Sequence, residues 1–359
     1  MPSDTKRIRL LLEAIRKIET GPVRLMEVCG THTMSIAAAG IKSMLPAEVQ
    51  LLSGPGCPVC VTPPQVLDAV LELSMEKDVI ITTYGDMLRV PCSRPGDSLL
   101  RRRALGAQVE TVYSPVDAVE LALARPEKQV VFLGVGFETT APGTAAAVLT
   151  ALEKGAKNFT LWSMLKLVEP ALRALIAMEG FNVDGFLCPG HVATIIGEKG
   201  FRYLPEEYGL PAVIAGFEAE DILLAVYKLL RQLADKDAKL ENEYTRAVSP
   251  EGNVLAQRMI ARCFRPRPDV WRGLGRIEAS GLGLAPELEA FDAEKRFGVI
   301  YGEAEPPTAC RCGEVITGRL APVGCPMFGK ACTPEDPVGP CMVSSEGACA
   351  AAYKYQGVL

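Results

Sequence analysis

Histidine is almost missing from this chain: 359 residues contain two, His32 and His191. That scarcity weighs against a zinc-dependent hydrolase, which needs a ligand set around a metal-activated water. No apolar run approaches the ~18 residues of a membrane-spanning helix. The N-terminus, Met1 to Arg9, is polar and charged, which argues against a signal peptide. A net charge of −5 leaves no basic footprint for nucleic acid. The one dense basic cluster, Arg101-Arg102-Arg103, reads as a solvated helix face before it reads as a phosphate contact. No internal repeat of ~20–50 residues is visible. What remains is an ordinary globular composition, 48% hydrophobic and 23% charged. A cytoplasmic protein with no membrane or nucleic-acid partner is expected, in two or three domains.

Cysteine is what the chain has in excess, with twelve. Cytosolic proteins rarely build disulfide frameworks, so metal ligation or redox chemistry is the better reading. Six lie in the last fifty residues, spaced Cys310-x1-Cys312-x12-Cys325-x6-Cys332-x8-Cys341-x7-Cys349. Paired Cys-x2-Cys knuckles of the zinc type are absent there. Irregular, wide spacing with many prolines and glycines suits a 4Fe-4S cluster better. Six thiols are two more than one cluster needs, which leaves a pair for a redox-active dithiol.

Between residues 23 and 214, short β-branched strands alternate with helices, so the fold class is α/β with parallel sheets covered on both faces. Strands are expected at 23–28, 49–52, 79–82, 108–112, 130–133, 159–162, 185–187 and 212–214. Two Rossmann-like sheets of about four strands are preferred over one of eight, with the break at Pro126-Glu127-Lys128. The expected domains are 23–125, 126–240, and a third built from 1–22 with 241–359. From Arg265 onward the chain is Gly/Pro-rich and reads as strand-poor.

Several strand ends carry chemistry. Cys29, in Glu27-Val28-Cys29-Gly30-Thr31-His32-Thr33, stands where a strand ends and a helix begins; helix N-terminal amides there favour a thiolate. Cys57-Pro58-Val59-Cys60 follows the second strand and precedes Thr62-Pro63-Pro64, a cap and helix start. Its Cys-x-x-Cys spacing resembles a redox motif. If the first two strands are neighbours, Cys29, Cys57 and Cys60 converge at one rim, and with His32 they could hold a soft metal. Gly134 to Thr140 looks like a phosphate loop but lacks the Walker lysine; a tight turn into a helix is an equal reading. Glu138 lies in it. His191, after Cys188-Pro189-Gly190, stands as a capping residue or a ligand with equal weight, and Glu218 reads as helix-initiating.

Taken together, Val28 to Thr33, Gly54 to Cys60, Gly136 to Pro142, Pro189 to Val192 and the tail from Cys310 to Tyr355 resemble the HypD family, scaffolds of nickel–iron hydrogenase maturation. The resemblance covers essentially the whole chain. It implies a protein that works with a HypC-type small chaperone and holds one iron while that iron acquires two cyanides and one carbon monoxide. Cyanide would come from a HypE-type donor as a thiocyanate. Carried over by position, Cys29 is the iron ligand, His32 assists it, and Cys57 and Cys60 are the neighbouring redox pair. The family's cluster pattern, C-x14-C-x6-C-x16-C, falls on Cys310, Cys325, Cys332 and Cys349. Cys312 and Cys341 are then the spare dithiol, and electrons would pass from the cluster through Cys312/Cys341 and Cys57/Cys60 toward Cys29. The competing reading is a stand-alone 4Fe-4S-dependent thiol–disulfide reductase. It needs the tail and Cys57-x-x-Cys60 but gives Cys29 and His32 no role.

Overall fold

The structure is a computed structural model that describes residues 2–302 and 309–356. Eleven strands are present among the described residues: β1 Val23–Glu27, β2 Val49–Ser53, β3 Val79–Thr83, β4 Gln108–Thr111, β5 Gln129–Gly136, β6 Phe159–Leu165, β7 Gly185–Pro189, β8 Ala212–Ala215, β9 Leu240–Asn242, β10 Phe264–Trp271 and β11 Gly275–Leu284. The first eight coincide with the strands expected from sequence. Most are buried along their length, β3, β6, β7 and β8 at every residue, because helices cover both faces of each parallel sheet.

The strands group differently from the expectation. One parallel sheet has the order β2-β1-β7-β8-β9 and the other β4-β3-β5-β6. β1 takes β7 as a neighbour, with Leu25 opposite Gly185, and β3 takes β5, with Val79 opposite Gln129. The break at 126–128 therefore falls inside the second sheet, and residues on both sides of it share that sheet. The chain changes sheets after β2 and again after β6, so two connections tie the halves together.

Two further groupings differ. The N-terminal helix Pro2–Ile15 packs on the helix Ala219–Asp235, outside the first sheet, through Ile8, Leu11, Leu12 and Ile15. It does not join the tail. The region after Arg265 is not strand-poor: β10 and β11 form an antiparallel hairpin with an irregularity between Arg267 and Asp269. Pro266 and Pro268 disguise β10, since proline in a strand argues against one unless it sits at an edge or a bulge.

Local chemistry sets the helix ends. Ser114 and Asp117 form a capping box, Asn253 caps the helix Val254–Cys263, and Gly155, at φ +68°, ends the helix Ala141–Lys154. Glu218 begins the helix Ala219–Asp235 with Asp221 as capping partner, as the sequence indicates. Thr62 does not cap the next helix; Pro63 stands at that position, and the Thr62 hydroxyl donates back to the Pro58 carbonyl at 2.9 Å. The largest buried cluster joins inward residues of both sheets (Met26, Val28, Leu133, Val135) to the tail cysteines. The tail is thus packed into the molecule's main core.

Candidate functional site

In parallel sheets the functional loops lie beyond the carboxyl ends of the strands. Here the ends of β1, β2, β5 and β7 face one another across a cavity of about 160 Å³. Cys29, Thr31, Gly56, Pro58, Phe137, Thr139, Thr140, His191 and Glu346 are among its lining residues. Pairing of β1 with β2 brings the two cysteine loops together, as the sequence anticipates. Gly30 N–H donates to the Gly56 carbonyl at 2.9 Å, and Gly54 N–H to the Glu27 carbonyl at 2.7 Å. A Cβ on Gly56 would overlap the Cys29 backbone, so only glycine allows this approach.

Cys29 is the N-cap residue of the helix Gly30–Ala38. The backbone amides of His32 and Thr31 favour its thiolate, but burial outweighs them and pushes the thiol up to about 12. The expected thiolate is therefore a protonated thiol in the free protein, 8% exposed. A soft cation would have to displace that proton on binding. Beneath it lies Glu27, a fully buried carboxyl that sequence reasoning passed over. It accepts from Cys29 N–H at 3.1 Å and from the Thr33 hydroxyl at 2.5 Å. Desolvation nonetheless raises it to about 7 against those hydrogen bonds.

The two histidines divide the work in a way that spacing did not reveal. His32 is fully buried, with Nε2 2.9 Å from the Gly216 carbonyl and Nδ1 without a partner. Burial lowers it to about 4, so it is neutral. Its ring lies 4.9 Å from Phe217, and His191 stacks on the same Phe217 at 4.0 Å. The side chain that lines the cavity with Cys29 is His191; His32 stands behind it. β7 is the neighbour of β1, which is why His191 arrives beside Cys29.

Glu346 comes from the tail. The Thr31 hydroxyl donates to its Oε1 at 2.8 Å. Its own loop is held by Asp86, which accepts from Ser344 and Ser345 at 3.4–3.5 Å. The polar run Ser344-Ser345-Glu346 between two cysteines was the signal available for it. Glu138 turns away from the cavity: Oε1 accepts from Val168 N–H at 2.9 Å and Oε2 is buried without a partner. Burial raises it to about 7.

Cys57 and Cys60 are joined by a disulfide in the turn Pro58–Val61, and both are buried. The tail turn Pro340–Met342, which carries Cys341, packs directly on that turn. At the other end of it, Arg272 donates its backbone N–H to Val61 and its Nε to the Thr62 carbonyl, at 2.8 and 3.2 Å. All six tail cysteines line one small apolar cavity with Val315, Met327, Phe328 and Met342. Cys312 hydrogen-bonds both Cys310 and Cys341 there. Six thiols around one apolar cavity, with no charged side chain in the lining, fit the donor chemistry of an iron–sulfur cluster. Among the described residues no group of three or more His, Cys, Asp or Glu side chains is disposed to hold a single metal ion.

These features define a class: a double-sheet α/β protein with nine of its twelve cysteines gathered at one strand-end rim and in one cap packed behind it. A family model for HypD, described as the hydrogenase formation hypA family, matches residues 6–356. The chain is 44% identical over 355 residues to the hydrogenase maturation factor HypD of Rhodobacter capsulatus, covering 98% of this chain and 94% of that protein. It is 44% identical to HypD of Escherichia coli K12, covering 93% and 90%, and 39% identical to a putative hydrogenase expression/formation protein of Methanocaldococcus jannaschii, covering 99% of both. The chain belongs to the HypD family of hydrogenase maturation factors.

Proposed function

We propose that this protein is the scaffold on which the iron of a nickel–iron hydrogenase receives two cyanides and one carbon monoxide. The observation that carries the reading is the presence of Cys29 alone among thiols in a cavity with His191 and Glu346, lined also by Gly56 and Pro58 on either side of the disulfide-bonded Cys57. One thiolate is a single protein ligand, so an iron held there keeps positions for cyanide, carbon monoxide and a ligand from a HypC-type chaperone. A thiolate donates electron density to iron, which suits strong-field ligands.

Release of cyanide from a HypE-type thiocyanate consumes two electrons: the S–CN bond breaks to give a thiolate and cyanide. The Cys57/Cys60 dithiol can supply both by closing to its disulfide, with loss of two protons. A 4Fe-4S cluster on Cys310, Cys325, Cys332 and Cys349 would supply single electrons. Cys312 and Cys341 are in contact with each other, and the turn that carries Cys341 packs on the Cys57 turn, which supports a role for the two as the store of the pair. A stand-alone reductase would leave the cavity of Cys29, His191 and Glu346 without a role. Among the described residues no helix is long and apolar enough to cross a membrane, and we place the work in the cytoplasm. Replacing Cys312 by Ser is expected to leave the cluster's visible absorption unchanged and to stop cyanide transfer, read as loss of cyanide infrared bands. Unimpaired transfer in that variant would sink the relay.

A further inference from the structure

A second cavity, of about 210 Å³, lies where the tail meets the first sheet. Arg24 of β1, the 179–183 loop before β7, and Thr317 to Arg319 of the tail enclose it. It is separate from both cysteine sites. Arg24 is held there from two sides. Its backbone exchanges hydrogen bonds with Asp184, at 2.7 and 2.8 Å, and its Nη2 donates to the Gly318 carbonyl at 3.2 Å. Its Nε is buried with no partner. Arg319 donates Nε to the Thr317 hydroxyl at 3.0 Å, and neither arginine forms a salt bridge among the described residues. The charged residues of the lining are these two arginines and Glu179.

A buried N–H without an acceptor is costly, and guanidinium forks match oxyanions by paired hydrogen bonds. We propose that this cavity is an oxyanion site, taking a carboxylate or phosphate group, that braces the cysteine-rich tail against the first sheet. The bracing follows from position. Gly318 packs against Met26 and Leu52 of the sheet so closely that a Cβ on it would strike Met26, so an anion between Arg24 and Arg319 joins strand to tail at that contact.

The test is titration calorimetry of the full chain with inorganic phosphate and with succinate, alongside amide exchange at residues 317–319. Saturable binding of at least one is expected, with slower exchange and a raised Tm. Phosphate alone, or succinate alone, identifies the source of the oxyanion. Arg24→Gln and Arg319→Gln should each weaken binding about tenfold or more. Arg319 is exposed, so its variant tests the site without a folding burden. No saturable binding of either anion, affinity unchanged in Arg319→Gln, exchange unchanged on binding, or an equal effect of sodium chloride at matched ionic strength would overturn the proposal.

Discussion

Thr31 and Glu346, 315 positions apart, meet in one hydrogen bond of 2.8 Å. It ties the first turn of the Cys29 helix to the cysteine-rich tail and sets a carboxylate at the mouth of the cavity. Thr31→Val, Glu346→Ala and the double variant, compared by urea unfolding, should show a coupling of about 1.5 kcal/mol, as for a part-buried bond to a charged group. Additive effects would mean that the bond contributes nothing to holding the tail.

The two histidines should separate by phenotype. His32→Ala removes a fully buried ring and its bond to Gly216, and is expected to cost about 2–4 kcal/mol of stability. His191→Ala should stay within about 1 kcal/mol of the parent, because the ring is exposed, yet lose retention of the iron cargo. Urea midpoints together with bound iron after desalting read both effects. Equal stability losses would contradict this division.

Glu138 and Glu27 give stability a pH dependence of definite sign. Both carboxyls rise from 4.5 to about 7 in the folded protein. The folded state then binds protons that the unfolded state has released. Their favourable contribution is complete below about pH 4.5 and is lost as pH rises through 7. Across that window each lowers stability by up to about 1.4 kcal/mol per pH unit. Glu138→Gln, which keeps the shape and removes the charge, should flatten the curve by one carboxyl's share. Chemical denaturation at pH 5, 6, 7 and 8 measures it, and a variant curve parallel to the parent's would refute the assignment.

Eight strands could be read from the sequence because β-branched runs such as Val79-Ile80-Ile81 are short, apolar and bounded by turns. Their partners could not. Nothing in the composition of β1 distinguishes β7 from β3 as a neighbour, and pairing is decided by how the whole chain packs. The hairpin escaped because Pro266 and Pro268 argue locally against a strand that tertiary contacts nevertheless form. Convergence of Cys29, Cys57 and Cys60 was legible, since adjacent parallel strands end at the same rim. The direction of His32 was not: a helix position shows where a residue starts, while the Gly216 carbonyl that holds its ring lies 184 residues away. Glu346 was hidden for the same reason. The thiol of Cys29 was misjudged because helix-end amides are visible in a sequence and desolvation is not.

In the proposed function Cys29 holds the iron as it acquires its diatomic ligands. The most direct test is an infrared spectrum of anaerobically purified protein with its small chaperone partner, recorded under maturing conditions for the parent and for Cys29→Ser. Cyanide and carbon monoxide stretches should be present in the parent and absent from the variant, with the cluster's visible absorption retained in both. Bands that persist in Cys29→Ser, or a parent with an intact cluster and no bands, would rule out that role for Cys29.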